Sequence, residues 1–281
     1  MSRHTSFKVG GNADVYFEPA SADELTYAIR TAKEECAPFT VIGNGSNLLV
    51  KDGGIRGLVI RLGEVFSAVS VNGLTMTAQA GAALAKLALT AQEHALTGLE
   101  FASGIPGTVG GGLFMNAGAY DGNLSDVCTG AKLLDIGTLE IFDVTAQELK
   151  LGYRTSVMQD ERLICLEANF LLRQGDREQI RARMDELNRR RREKQPLSYP
   201  SAGSTFKRPE GHFAGALIEQ AGLKGLSAGG AQVSEKHAGF IINTGGATAR
   251  DVLELIETVK KRVYDMSGVM LEPEVRITGE D

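Results

Sequence analysis

From position 104 the chain reads Gly104-Ile105-Pro106-Gly107-Thr108-Val109-Gly110-Gly111-Gly112-Leu113-Phe114-Met115-Asn116-Ala117-Gly118. Polarity almost vanishes along this stretch while glycines persist. Glycine loses more backbone freedom on folding than any other residue, so such a run points to close approach of the main chain to something else. That something is either another strand, in a tight buried crossing, or a flat aromatic ligand laid against backbone. A second tract, Gly43-Asn44-Gly45-Ser46-Asn47, directly follows the apolar run 39–42. Small residues there let amide N–H groups turn toward one point, making an anion nest suited to a pyrophosphate. It is neither the GxGxxG dinucleotide fingerprint nor a P-loop, and a plain glycine turn accounts for it as well. The whole chain carries 34 glycines in 281 residues, well above the usual share of about 7%.

Around these tracts the pattern alternates between short strands and helices. Strands are expected at 15–17, 39–42, 48–50 and 58–60, with a hairpin of 65–71 and 75–78 about Asn72-Gly73. Further strands are expected at 131–136 and 140–144, paired around Gly137, and at 163–172. Ser21-Ala22-Asp23-Glu24 is a capping box opening a helix with Leu25, Ala28, Ile29 and Ala32 on its apolar face. Residues 82–94 form a second helix. A charged helix over 176–194 shows the apolar stripe Ile180, Met184 and Leu187. It ends at Gln195-Pro196, because proline disfavours helix in the residue before it. Thr248 or Asp251 starts a last amphipathic helix bearing Val252, Leu255, Ile256, Val259 and Val263, and a strand over 271–277 closes the chain.

The composition shift at 195 marks the domain break: a first domain over 1–195 and a second over 196–281. The formal net charge of −5 makes the chain a poor general polyanion binder, so nucleic acid is excluded as a partner. The arginine run 189–192 lies at a helix end and reads as a solvated patch. The three cysteines, Cys36, Cys128 and Cys165, are too scattered for a disulfide framework or a zinc site and are expected as buried or half-buried free thiols. The four histidines never stand at metal-ligand spacing, so no metal is expected. No apolar run nears the roughly 20 residues needed to span a bilayer, and the polar start of the chain lacks a signal core. A cytoplasmic protein without a membrane partner is expected.

Three further motifs bear chemistry. Tyr153-Arg154-Thr155-Ser156 precedes an apolar strand. Ser201-Ala202-Gly203-Ser204-Thr205-Phe206-Lys207 gathers hydroxyls, glycine and a cation just past the domain break. Leu271-Glu272-Pro273-Glu274-Val275-Arg276 would place Glu272, Glu274 and Arg276 on one strand face. Each has a bland surface reading. GxSxG is absent, which removes an acyl-transfer elbow.

Taken in order, these motifs together with His4-Thr5-Ser6-Phe7-Lys8-Val9-Gly10-Gly11 closely resemble the UDP-N-acetylenolpyruvoylglucosamine reductase family across nearly the whole chain. The resemblance implies an α+β fold: a vanillyl-alcohol-oxidase-type (PCMH-type) FAD-binding domain of two subdomains, about 1–75 and 76–195, then a C-terminal α/β substrate domain. It implies non-covalent FAD, with its pyrophosphate on Gly43, Asn44, Gly45, Ser46 and Asn47. The rest of the cofactor would lie along Gly104, Ile105, Pro106, Gly107, Thr108, Gly110, Gly111, Asn116, Ala117 and Gly118. It further implies NADPH as hydride donor, a UDP-sugar as substrate, and a role in bacterial cell-wall synthesis. Arg154 and Glu274 would stabilise an enolate, Ser204 would donate a proton, and Tyr153, Lys207 and Arg276 would contact substrate, with Glu272 the second choice for the carboxylate. Arg208 stands where relatives often have asparagine. The expected state is a monomer. Two rivals remain: an oxygen-using flavoenzyme on the same scaffold, and a non-catalytic flavin- or UDP-sugar-binding module.

Overall fold

The computed structural model describes residues 1–120, 122–160 and 162–281; Asp121, three residues past the glycine-rich tract, lies outside them. The chain forms two compact units. The larger comprises Tyr16–Asn44 and Leu58–Arg191, and the smaller Met1–Val15, Gly45–Gly57 and Arg192–Asp281. In the sequence reading, residues 1–15 and 45–57 belong to the first domain; here they fold with the C-terminal segment.

In the larger unit, α1 (Ala22–Glu34) is capped by Ser21, whose side chain accepts from the Glu24 amide, and it buries Leu25, Ile29 and Ala32. The strand Phe39–Ile42 lies parallel to Ile55–Arg61, with Phe39 opposite Leu58. An antiparallel five-stranded sheet runs in the order Ile141–Thr145, Cys128–Asp135, Leu163–Leu171, Thr75–Gln79, Val69–Asn72. The hairpin about Asn72-Gly73 is present, but its first strand starts at Val69, because Glu64–Phe66 makes a 3-10 turn that buries Phe66. Next come α2 (Leu84–Glu93) and the short α3 (Val109–Phe114) inside the glycine-rich tract. The charged helix α4 (Arg177–Lys194) buries Ile180, Met184 and Leu187 as its pattern predicts. One contiguous core joins α1, α2 and the sheet through Leu25, Ile29, Met76, Leu84, Leu133 and Phe170.

In the smaller unit, α5 (Ala214–Gln220) and α6 (Ala249–Ser267) accompany a three-stranded antiparallel sheet of Ser227–Ala228, Ala231–Val233 and Ile241–Asn243. Thr248, not Asp251, is the α6 N-cap; the two form a reciprocal capping box. The expected apolar face of α6 is wholly buried. Its core takes in Phe7, Val9 and Leu49. These early residues fold with the C-terminal segment because their apolar partners are there. The expected strand over 271–277 is cut to Arg276–Thr278, parallel to Leu48–Val50. Proline at 273 has no amide to give a ladder, and its neighbourhood makes only an isolated antiparallel bridge with Phe206.

Candidate active site

In the larger unit the two glycine tracts meet. A Cβ on Gly43 would lie 2.4 Å from Thr108 Oγ1, so only glycine allows this approach. Asn44 donates through Nδ2 to the Pro106 carbonyl at 3.3 Å and accepts at Oδ1 from Arg61 Nη2 at 3.3 Å. Arg61 is paired with Glu18 at 3.0 Å, and Tyr16 donates to the same Glu18 oxygen at 2.8 Å. Burial, then the Glu18 hydrogen bond, pushes the Tyr16 phenol up to about 12. This polar network escaped the sequence reading, because Glu18 and Arg61 are 43 residues apart and no local pattern joins them.

Thr108 caps α3 by accepting from the Gly111 amide at 3.3 Å. The glycines of this tract mostly serve internal packing. A Cβ on Gly110 would meet that of Ala80 at 2.8 Å, one on Gly112 would meet Leu84 Cδ1 at 3.0 Å, and one on Gly118 would meet the Gly122 carbonyl oxygen at 2.7 Å. Gly111 is more open, with only Thr108 Oγ1 near, at 3.4 Å.

Asn116 is buried and its side chain is committed to protein partners. It donates to the Gly152 carbonyl at 3.0 Å and the Ser125 hydroxyl at 3.3 Å, and accepts from the Ser125 amide at 3.0 Å. It thereby holds the turn that bears Arg154. That turn is closed by the main-chain hydrogen bonds of Gly152 and Thr155. Arg154 has φ +56°, left-handed backbone that costs a side-chain-bearing residue energy. Its guanidinium carbon sits 5.2 Å from the centroid of the exposed Tyr153 ring.

In the smaller unit, the main chain after Ser204 pairs antiparallel with 272–274. Glu274 N donates to Thr205 O at 2.8 Å, and Lys207 N donates to Glu272 O at 2.8 Å. The hydroxyl motif and the carboxylate motif are therefore neighbours. Ser204 is exposed, beside Gly203 at φ +78°. Thr205 beside it is buried; it donates its amide to the Gly239 carbonyl at 2.8 Å and accepts from Ile241 N at its hydroxyl at 3.0 Å. Lys207 pairs with Glu272 at 3.2 Å, both well exposed, a geometry of little energetic weight. Arg208 stacks on Phe213 at 3.9 Å.

Asn47 Nδ2 donates to the Glu274 carbonyl at 3.1 Å, and Asn47 O accepts from Arg276 N at 2.9 Å. Ser6 braces the same turn, donating its amide to the Gly45 carbonyl at 3.2 Å. Among the described residues, the amides of Gly45, Ser46 and Asn47 donate to no protein acceptor. Free amides on a glycine turn suit a phosphate oxygen, so the residues present fit a cofactor bearing a pyrophosphate.

Comparison with known proteins agrees in both units. A model of an FAD binding domain matches residues 13–144, and one of the UDP-N-acetylenolpyruvoylglucosamine reductase C-terminal domain matches 195–278. A reductase of that name from Clostridium beijerinckii is 55% identical over 281 residues, which cover 100% of this chain and 92% of the relative. The corresponding protein of Caldanaerobacter subterraneus subsp. tengcongensis is 54% identical, over 100% of this chain and 92% of its own. The chain belongs to the UDP-N-acetylenolpyruvoylglucosamine reductase family.

A solved member of this reductase family, from Thermus caldophilus, superposes with a TM-score of 0.85 at 36% identity, covering 98% of this chain and 96% of its own. The expected α+β class, an FAD-binding domain with a C-terminal domain, stands. The chain is an FAD-dependent oxidoreductase of this reductase family. Its cysteines divide: Cys128 and Cys165 are buried, whereas Cys36, expected to be buried or half-buried, is exposed. No described helix is long and apolar enough to cross a membrane.

Proposed function

We propose that this protein reduces the enolpyruvyl ether of UDP-N-acetylglucosamine enolpyruvate to UDP-N-acetylmuramate. NADPH is the electron source, and the product is a precursor of cytoplasmic peptidoglycan synthesis. The observation that carries the reading is the antiparallel pairing of the Ser204 segment with that of Glu274, which puts an exposed hydroxyl beside a carboxyl-bearing turn. The enzyme acts as a monomer, with 196–281 as its substrate domain.

FAD would be held without a covalent link, by Gly43 to Asn47 and along 104–118. When bound, FAD supplies hydride transfer from the reduced nicotinamide to the methylene carbon of the enolpyruvyl group. The protein's task is then the negative charge and the proton. Hydride addition leaves carbanion character beside the substrate carboxylate, delocalised as an enolate. Arg154 offers fixed positive charge where that charge develops. Glu274 helps through a proton on its carboxyl, because a bare carboxylate would repel the enolate. Ser204 delivers a proton to the second carbon, and its exposure lets the hydroxyl regain that proton from water. Tyr153, Lys207 and Arg276 bind the substrate; the two cations match its carboxylate and diphosphate.

An anaerobic absorbance titration tests this. The flavin band should bleach with NADPH and return on adding UDP-N-acetylglucosamine enolpyruvate. Return of colour with oxygen alone would leave the scaffold right and the substrate wrong. Failure to bind flavin at all would remove the reading.

A further inference from the structure

Gln159 lies just beyond the Arg154 turn. Its carboxamide nitrogen donates to the Arg154 carbonyl at 3.1 Å and to the Phe114 carbonyl at 2.8 Å. The two N–H groups of one carboxamide thus join the turn to the end of α3. Ser156, 2% exposed, donates its hydroxyl to the same Phe114 oxygen at 2.9 Å. Asn116 grips the other side of the turn through the Gly152 carbonyl. Arg154 is held between these anchors in left-handed backbone at φ +56°. For a residue with a side chain that conformation persists only where its surroundings impose it, and it recurs at functional sites.

We infer that Gln159 is the positioning residue for Arg154: by holding the Arg154 carbonyl it imposes the backbone conformation that aims the guanidinium. The inference rests on the role given to Arg154 above. The two bonds from Gln159 to carbonyl oxygens require a donor, so the identity of the amide matters as well as its size.

The two half-reactions of the holoenzyme, followed separately by stopped-flow absorbance, provide the test. Gln159→Met keeps the length and removes the donors. Gln159→Glu keeps the shape and sets carboxylate oxygens against two carbonyls. A misplacement of about 1 Å in a catalytic group costs on the order of 100-fold. Flavin reoxidation by the enolpyruvyl substrate should therefore slow by roughly 10- to 100-fold in Gln159→Met and further in Gln159→Glu. Flavin reduction by NADPH and the melting temperature of the holoenzyme should stay close to wild type in Gln159→Met. In an Arg154→Ala background, Gln159→Met should add nothing, since residues acting as one unit are not additive. Equal damage to both half-reactions with a lowered melting temperature, or additive losses in the double variant, would make Gln159 a structural residue and overturn the inference. If Arg154→Ala leaves reoxidation intact, the role of Arg154 falls and the inference falls with it. If Arg154→Ala collapses reoxidation while Gln159→Met and Gln159→Glu leave it unchanged, the inference alone falls.

Discussion

Asp52 caps the amino end of α6 from 197 residues away: its Oδ1 accepts from the Ala249 amide at 2.8 Å, and its Oδ2 accepts from the Arg250 amide at 3.0 Å. One carboxylate thus satisfies two of the amides that a helix start leaves without partners. It also ties the segment 45–57 to the helix that anchors the smaller unit. Asp52→Ala should destabilise the protein by about 1 kcal/mol, the usual worth of a cap, read by urea denaturation. A loss below experimental error would mean that the Thr248–Asp251 box caps the helix unaided.

That box makes stability depend on pH. Asp251 Oδ2 accepts from Thr248 N at 2.9 Å, and Thr248 Oγ1 accepts from Asp251 N at 3.1 Å. The main-chain N–H of Thr248, above all, holds the Asp251 carboxyl below its ordinary value. A carboxyl depressed in the folded state adds stability above its unfolded pKa, and that stability is lost as pH falls through the folded pKa. Urea midpoints should therefore decline from neutral pH to about 3, and Asp251→Asn should flatten part of that decline. A wild-type curve and a variant curve that run parallel across the range would detach Asp251 from it.

Ser204→Ala should leave flavin reduction by NADPH intact and collapse reoxidation by the enolpyruvyl substrate. Loss of a proton donor typically costs about 100- to 10,000-fold. Single-turnover absorbance separates the two steps, and equal damage to both would remove Ser204 as the specific donor.

Glu274→Gln should harm reoxidation more than Glu272→Gln. Glu272 is 70% exposed and already paired with Lys207, whereas Glu274 is half-buried in the turn that Asn47 and Thr205 hold. The opposite order in the same assay would transfer the carboxylate role to Glu272.

Thiol chemistry should distinguish the three cysteines. Burial pushes the Cys128 thiol up to about 11 and raises that of Cys165 as well, and the thiolate is the reactive form. With a chromogenic disulfide reagent at neutral pH, the exposed Cys36 should react first and the other two only on unfolding. Fast release of a second equivalent from the native protein would contradict the burial of Cys128 and Cys165.

Local signals in the chain sufficed for a good part of this molecule. Ser21 and Thr248 sit where side-chain oxygens can cap a helix, and the apolar periods of α1, α4 and α6 name the faces they bury. Strands 128–135 and 141–145 pair as Gly137 suggests. The motifs bearing Arg154, Ser204 and Glu274 were legible because each is a short run of unusual residue types. Tertiary structure decided the rest. Residues 109–114 are helical despite three glycines, because Thr108 caps them and Gly110 and Gly112 let the helix sit against Ala80 and Leu84. Asn47 reads as a nest residue, and its side-chain carboxamide also holds the Glu274 carbonyl; Asn116 reads as a cofactor residue, and its side-chain carboxamide also holds the Arg154 turn. Periodicity and capping are properties of neighbouring residues, so they are written in the chain. A hydrogen bond between residues tens or hundreds of positions apart exists only once folding has brought its donor to its acceptor.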